Sequence, residues 1–600
     1  MLPARYALLP GAFLVQSVNG YRDLQPQQKL TLADGTQIVA GYRTVADQLN
    51  TAARYAGYAV RPGAAVMKEA QYQQSYANTF FTQQALAQGS ALPRLPADAG
   101  QFVLAPLSTL SMQGDLLQAT HPNGGHGAIV DIAVPNLYVG DGTTAAPNGY
   151  VSIDATTLSH LNAESLLLGG TRQSAADGIL VNVDSDRIVI ANNAAKPLTA
   201  DEVILAANNG ITVNAGSAIV ASGTATGSPD LIIGRGGNGD GALLRVANGD
   251  HVNVKRENVQ RATGTLDVGS NVLLGGKSIT LDATLDTTSK ADLQLAGGSL
   301  SLGAGRISLG DISGVNNGLA LSGTELAALG GLDGLYLKSY STIDFYGDLT
   351  LGTGQSSIQH LALDAGGLRG FGGASKTVTL AAGDVVLHNS GTANADVAAA
   401  SGGALTIQGR RSITLAEGDQ QVNGFGSTNL VSDGVINGHG TGTLQVAGDL
   451  NLQAARVTAD AASVQGWTAS GKVEVNPAAT AALGTAPIGG SLAITGQKVL
   501  NQGNIELAAG TLSLTATGRT VDDKVTLAAG SNTSTAGVAK VFGGVTTFAP
   551  GGLVKLTSAS GNVDVQTGAT LDVSGAAGGG DAGALQTSAV NGQVVLAGTL

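Results

Sequence analysis

The stretch Ser491 to Gly518, SLAITGQKVLNQGNIELAAGTLSLTATG, repeats one short phrase: two apolar residues flank a small or polar one, and Gly, Asn or Gln fill the gaps. Leu492/Ile494, Ile505/Leu507 and Leu512/Leu514 are its copies. Alternation with period two puts both apolar side chains of a phrase on one face of a strand, and the Gly and Asn groups supply the turns. Strands this short cannot bury a core alone; they become stable by stacking on the next copy. The phrase recurs as Leu444/Val446, Leu450/Leu452, Val554/Leu556, Val563/Val565 and Leu571/Val573. The expected fold is therefore all-β: a right-handed parallel β-helix, or solenoid, with a small N-terminal β region and one helical insertion.

Composition agrees with that reading. Eighty-eight glycines beside 43% hydrophobic and only 12% charged residues do not describe a disordered chain, which needs low hydrophobicity and high charge. Aromatic residues at 4% are few for the core of a sandwich. A net charge of −12 disfavours a nucleic-acid partner. The absence of cysteine suits a protein that crosses an oxidising compartment unfolded. Prolines interrupt Met1–Pro10 where a signal peptide would run apolar, and no stretch is long and apolar enough for a transmembrane helix. The sequence stops inside a strand phrase, Val594–Leu600, so the expectation is a piece of a longer protein.

The pattern divides the chain into three regions. Residues 1–63 alternate short apolar pieces (Tyr6–Leu9, Phe13–Val15, Lys29–Leu32, Gln37–Ala40) with turns and read as an N-terminal β region. Residues 64–135 read as an insertion: a helix over about 64–88 with Tyr72, Tyr76 and Phe80 on one stripe, then a connector containing Pro93, Pro96, Pro106, Pro122 and Pro135. Residues 136–600 read as the shaft, continuing beyond 600. Val203–Leu205, Ile211–Val213, Ile219–Val220 and Leu231–Ile233 are expected as successive rungs, as are Leu293–Leu295, Leu300–Leu302, Ile307–Leu309, Val378–Leu380 and Val385–Leu387. Thr392–Gly403 and Gly575–Gly583 read as loops.

Motifs that could carry chemistry are weak. Gly234-Arg235-Gly236-Gly237-Asn238-Gly239 spells G-x-G-x-x-G after a strand, but a second β phrase comes next, where a dinucleotide fold needs a helix. Gly236–Asp240 is a single, out-of-register likeness to a calcium-binding nonapeptide, and Asn271–Ser278 lacks the first glycine of a phosphate loop. Of the histidines at 121, 126, 160, 251, 360, 388 and 439, only His121 and His126 are close, and Asp115 and Asp131 do not complete a metal-ligand spacing with them. Asp344, Asp348 and Asp364 are candidate acids for a glycan-cleaving groove, but spacing places them in separate turns. No catalytic, cofactor-binding or metal-ligating residue is assigned, and no cofactor; the expectation is not an enzyme.

Taken together, ADGTQIVAGYRTVA (Ala33–Ala46), VRPGAAV (Val60–Val66), LNAESLLLGGTR (Leu161–Arg172), GDGALLRVANGDHVNVKR (Gly239–Arg256), LDAGGLRG (Leu363–Gly370) and VLNQGNIELAAGTLSLTATG (Val499–Gly518) resemble the filamentous haemagglutinin-like large exoproteins of two-partner secretion. The resemblance covers nearly the whole chain. It implies the shaft of a secreted adhesin at the bacterial cell surface, associated with the outer membrane. The implied partners are an outer-membrane two-partner secretion transporter and host cell glycans or proteins, or neighbouring bacteria. The family's N-terminal secretion domain carries NPNG-type motifs; this chain has only His121-Pro122-Asn123-Gly124, so the transporter would engage a domain absent here. The alternatives are a β-helical lyase or glycosidase, and the delivery shaft of a contact-dependent toxin.

Overall fold

A computed structural model describes the chain except for residues 1–7, 9–10, 22–23, 43–54, 70, 72–74, 94, 96, 113, 115, 117–124, 224–228, 296, 353–357, 392–400 and 479–482. The chain divides into two compact units, Met1–Pro96 and Ala97–Leu600.

In the first unit the N-terminal β region is an antiparallel sheet ordered Phe13–Val18, Ala56–Pro62, Gln37–Gly41, Lys29–Thr31. Its tight turn is set by Asp34, whose carboxylate accepts from the Thr36 backbone N–H at 3.0 Å, and by Gly35 at φ +85°. The single helix expected over about 64–88 is broken. Gly63–Val66 runs into a 3-10 turn, Met67–Glu69, and a separate helix, Ala77–Gln88, begins only after Tyr76, which is extended at φ −78° and ψ 144°. A short helix draws most of its stability from burying an amphipathic face. Here Tyr76 is 86% exposed, and Phe80 and Phe81 are exposed as well, so among the described residues the aromatic stripe has nothing to bury against. Tyr72 lies outside the described residues. The helix stops where the sequence suggests, at Gly89, whose left-handed backbone (φ +61°) returns its N–H to the last carbonyls.

The second unit is a parallel β-helix of three columns. The chain passes from the first column to the second to the third and back: Ser278–Ala283, Asp286–Ser289, Asp292–Gln294, then Ser299–Ala304 directly beneath Ser278–Ala283. The same circuit recurs far downstream, where Ser427–Ser432 of the third column stacks on Asp449–Ala454, and Thr441–Val446 of the second on Val464–Ala469. Rungs begin earlier than residue 136. Gln101–Leu104 pairs in parallel with Ile129–Ile132, so these two strands of the Pro-rich connector already belong to the solenoid's first column. Thr377–His388 and Ala404–Leu415 each bend between the third and first columns, with a register shift at Ala382/Asp384. One apolar core runs from Val130 to Leu571, with Trp467 and Phe345 among its fully buried members.

Around the side sheet the winding departs from a plain solenoid in two ways. First, Ala242–Ala247 enters the first column between Glu202–Ala207 and Ser278–Ala283 but runs antiparallel to both. Second, Gly170–Ala175, Gly178–Val183, Leu231–Ile233 and Val254–Arg256 form a four-stranded side sheet. Leu231–Ile233, expected as a rung, is therefore a strand of the side sheet. The inverted rung is threaded between the last two strands of that sheet. A second apolar cluster joins the two layers: Leu167, Ile204, Ala206 and Leu243 from the outer face of the rungs meet Val181, Leu231, Ile233, Val252 and Val254 from the side sheet.

Farther along, the coil containing Val473–Pro477 adds no strand to the first column among the described residues. Arg456–Ala459 there pairs directly with Asn504–Glu506 through Val457↔Ile505. A two-stranded antiparallel hairpin, Ala539–Phe542 with Val545–Phe548, leaves the coil near the far end, and its strands are exposed throughout.

Candidate functional site

Where the side sheet meets the first column, three ion pairs are almost wholly buried. Arg172 meets Asp131 at 2.7 Å, Arg245 meets Glu202 at 2.6 Å and Arg256 meets Asp282 at 2.7 Å. An ionised group taken out of water must have its lone pairs and protons satisfied locally. Asp131 accepts from the backbone N–H and Nε of Arg172 and from Gln101 Nε2, while Arg172 also donates to Ser165 Oγ. Burial alone would raise the Glu202 carboxyl, but Arg245 beside it and the Ser165 hydroxyl outweigh this and hold it below the usual range. Asp282 also accepts from the Tyr340 hydroxyl at 2.7 Å. Gly303, the residue stacked on Asp282, leaves room for this arrangement, because a Cβ there would collide with the Asp282 carboxylate.

Beyond Val254–Arg256 the side sheet ends while the first column continues, leaving a step. The step is a cleft of about 660 Å³, within the roughly 300–1,000 Å³ typical of small-ligand sites. Its floor is two outward rows set by strand register: Ser301, Tyr336, Ala362, Val386, and beside them Gly303, Lys338, Asp364, His388. One wall is the segment from His251 to Glu257; Asn389, Ser390 and Glu417 form the far rim.

The wall is locked to the floor. The His251 ring stacks on Tyr336 with centroids 3.5 Å apart and planes 6° from parallel. Its Nδ1 lies 3.0 Å from Ser301 Oγ and its Nε2 3.2 Å from Asn253 Oδ1. Burial holds this imidazole down at a pKa of about 4, so it is neutral at pH 7. Lys338 Nζ donates to the Val254 carbonyl and to Ser390 Oγ, each at 2.9 Å, and pairs with Asp364 at 3.3 Å. Burial would raise Asp364, but Lys338, His388 and the Ser390 contacts outweigh it and keep the carboxyl low.

The residues weighed from sequence are mostly scattered. Asp344 sits in the second column, gripped by Arg369 Nε and Nη2 at 2.8 and 2.7 Å; Asp348 accepts from the Thr377 backbone; only Asp364 reaches the cleft. Gly234–Gly239 is a turn between Leu231–Ile233 and the inverted rung, braced by Arg235 against Asp177 and Glu257. Asp240 organises the neighbouring loop, accepting from the backbone N–H groups of Gln260, Arg261 and Ala262. Asn271–Ser278 leads into a rung, not a helix. His121, Asp115 and the His121–Gly124 stretch lie outside the described residues, while His126 pairs with Glu164 at 2.8 Å. His251 and Tyr336, the centre of the cleft, have no spacing signal in the sequence, because it is the side sheet that brings them together.

No protein family, no curated protein and no solved structure matches the chain. Among the described residues no helix is long and apolar enough to cross a membrane.

Proposed function

We propose that the chain is a shaft segment of a secreted, surface-exposed adhesin-like exoprotein that attaches to host cells or to other bacteria. The observation that supports this most is the unbroken apolar core from Val130 to Leu571 beneath three stacked columns. Such a scaffold draws rigidity from nearest-neighbour stacking and leaves its outward positions and loops to make contacts. The resemblance of the sequence phrases to filamentous haemagglutinin-like exoproteins points the same way. On this reading, export runs through an outer-membrane two-partner secretion transporter, and contact is with cell-surface glycans or proteins. Beads coated with the full chain should adhere to epithelial cells or to a bacterial layer well above beads coated with an unrelated β-helix. Equal adherence would overturn the reading.

A β-helical carbohydrate-active enzyme is the second reading, and the cleft favours it, since Asp364, His388 and Lys338 converge there. Incubating the chain with plant, fungal and bacterial polysaccharides and assaying new reducing ends decides between the two: release of ends selects the enzyme.

A further inference from the structure

We propose that the step at the end of the side sheet is a binding site for a neutral oligosaccharide. The inference deepens the adhesive reading and rests on it for the purpose of binding, not for the binding itself.

Charge points to a neutral ligand. The acids around the cleft face bases: Asp230 pairs with Lys255 at 2.9 Å, Glu257 with Arg235 at 2.7 Å, Asp282 with Arg256 and Asp364 with Lys338. Glu417 stands at the far rim in solvent. Among the described residues, a site whose charges are cancelled in pairs offers no unpaired cation to hold a phosphate or carboxylate. It retains many short-range donors and acceptors. Lys338 and Ser390 are engaged with Asp364 and with each other, so a sugar's hydroxyls would share the remaining acceptor positions of Asp364 and the His388 ring beside it.

Shape points to a sugar. Beside that row, Ala362 and Val386 continue the Tyr336 row away from the rigid His251/Tyr336 stack, an apolar strip able to take the C–H face of a pyranose next to an aromatic group. The competing occupant is an extended peptide added to the free edge of the side sheet. Strand addition needs the backbone carbonyls of that edge. The Val254 carbonyl is already taken by Lys338 Nζ. The edge is plugged there by a side chain from the column it covers.

The test titrates the full chain calorimetrically with neutral cello-, chito-, manno- and galacto-oligosaccharides, and with oligogalacturonate and sialyllactose as acidic counterparts. At least one neutral series should bind, and the acidic ones should bind about tenfold or more weakly. Ala362→Trp fills the floor from an outward position without removing any named contact. It should lower affinity at least about tenfold, while Thr515→Trp on the outer face of another column leaves it unchanged. Tyr336→Ala should weaken binding too, and the unchanged melting of Ala362→Trp guards against misreading a folding defect. Absence of neutral binding, acidic binding of equal strength, or indifference to Ala362→Trp would each overturn the proposal. Coated beads separate it from the adhesive reading. If beads adhere to cells but titrations are silent, only the cleft assignment falls; if oligosaccharide binding is blocked by Ala362→Trp but beads never adhere, only the adhesive reading falls.

Discussion

Glu202–Ala207 and Thr511–Ala516 are rungs of the same length in the same solenoid, yet they are built differently. Every residue of EVILAA is buried, whereas TLSLTA alternates buried with half-exposed positions. The second pattern is that of a strand with one face on the core and one in water, the first that of a strand covered on both faces. The cover over Glu202–Ala207 is the side sheet. Its presence converts outward positions, which elsewhere tolerate Ser and Thr, into a second core of Leu167, Ile204 and Leu243. It also puts charged residues where they must be paired. The plain rungs instead carry solvated ladders, such as Asn451 donating to Asn429 at 2.8 Å and Asn532 to Asn504 at 2.8 Å.

The contrast is best broken at Glu202. Glu202→Ala strands the fully buried Arg245, and removing one member of a buried pair typically costs about 3–5 kcal/mol. In a stacked protein this should appear as local loss of protection rather than a single global transition. Hydrogen exchange over 202–207 and 242–247 should therefore rise sharply, while Thr511–Ala516 is untouched.

A smaller effect comes from acid. His251 titrates at about 4 in the folded chain against an ordinary 6.5, so between those values the unfolded wall binds more protons than the folded one. The contribution of the stacked ring is complete above pH 6.5 and is lost as pH falls toward 4. The difference is on the order of 3 kcal/mol. Exchange at His251 to Glu257 should accelerate from about pH 7 to about pH 4.5 beyond the intrinsic rate, and His251→Gln should remove that extra acceleration. The smallest effect sharpens the comparison of outward positions. Ile204→Val should destabilise by about 0.5–1.5 kcal/mol because it opens space between two layers. Ser513→Ala, at an outward position of a plain rung, should stay within about 0.5 kcal/mol. Equal values at the two sites would mean that the side sheet covers nothing of energetic consequence.

The plain rungs are legible in the sequence because alternation alone states which side faces the core. The covered rungs carry a signal that periodicity resolves only in part. Leu166-Leu167-Leu168, Leu231-Ile232-Ile233 and Val203–Ala207 are continuous apolar runs, which announce a second layer, but they do not say which run is rung and which is cover. Strand direction leaves no trace either, since Ala242–Ala247 reads the same whichever way it lies. The buried pairs join residues tens of positions apart, 41 for Arg172 and Asp131, and depend on register that no local pattern fixes. The aromatic stripe up to Phe80 misleads for the opposite reason: it has helical spacing, but Tyr76 and Phe80 meet no surface among the described residues.

The coil containing Val473–Pro477 bears on geometry at a larger scale. Among the described residues the first column receives one strand fewer there, while the other two columns each gain theirs, Ser491–Gly496 and Val499–Asn501. Each strand supplies about 4.8 Å of height. The difference between the columns is taken up where the pairing of the first narrows to Val457 and Ile505 alone.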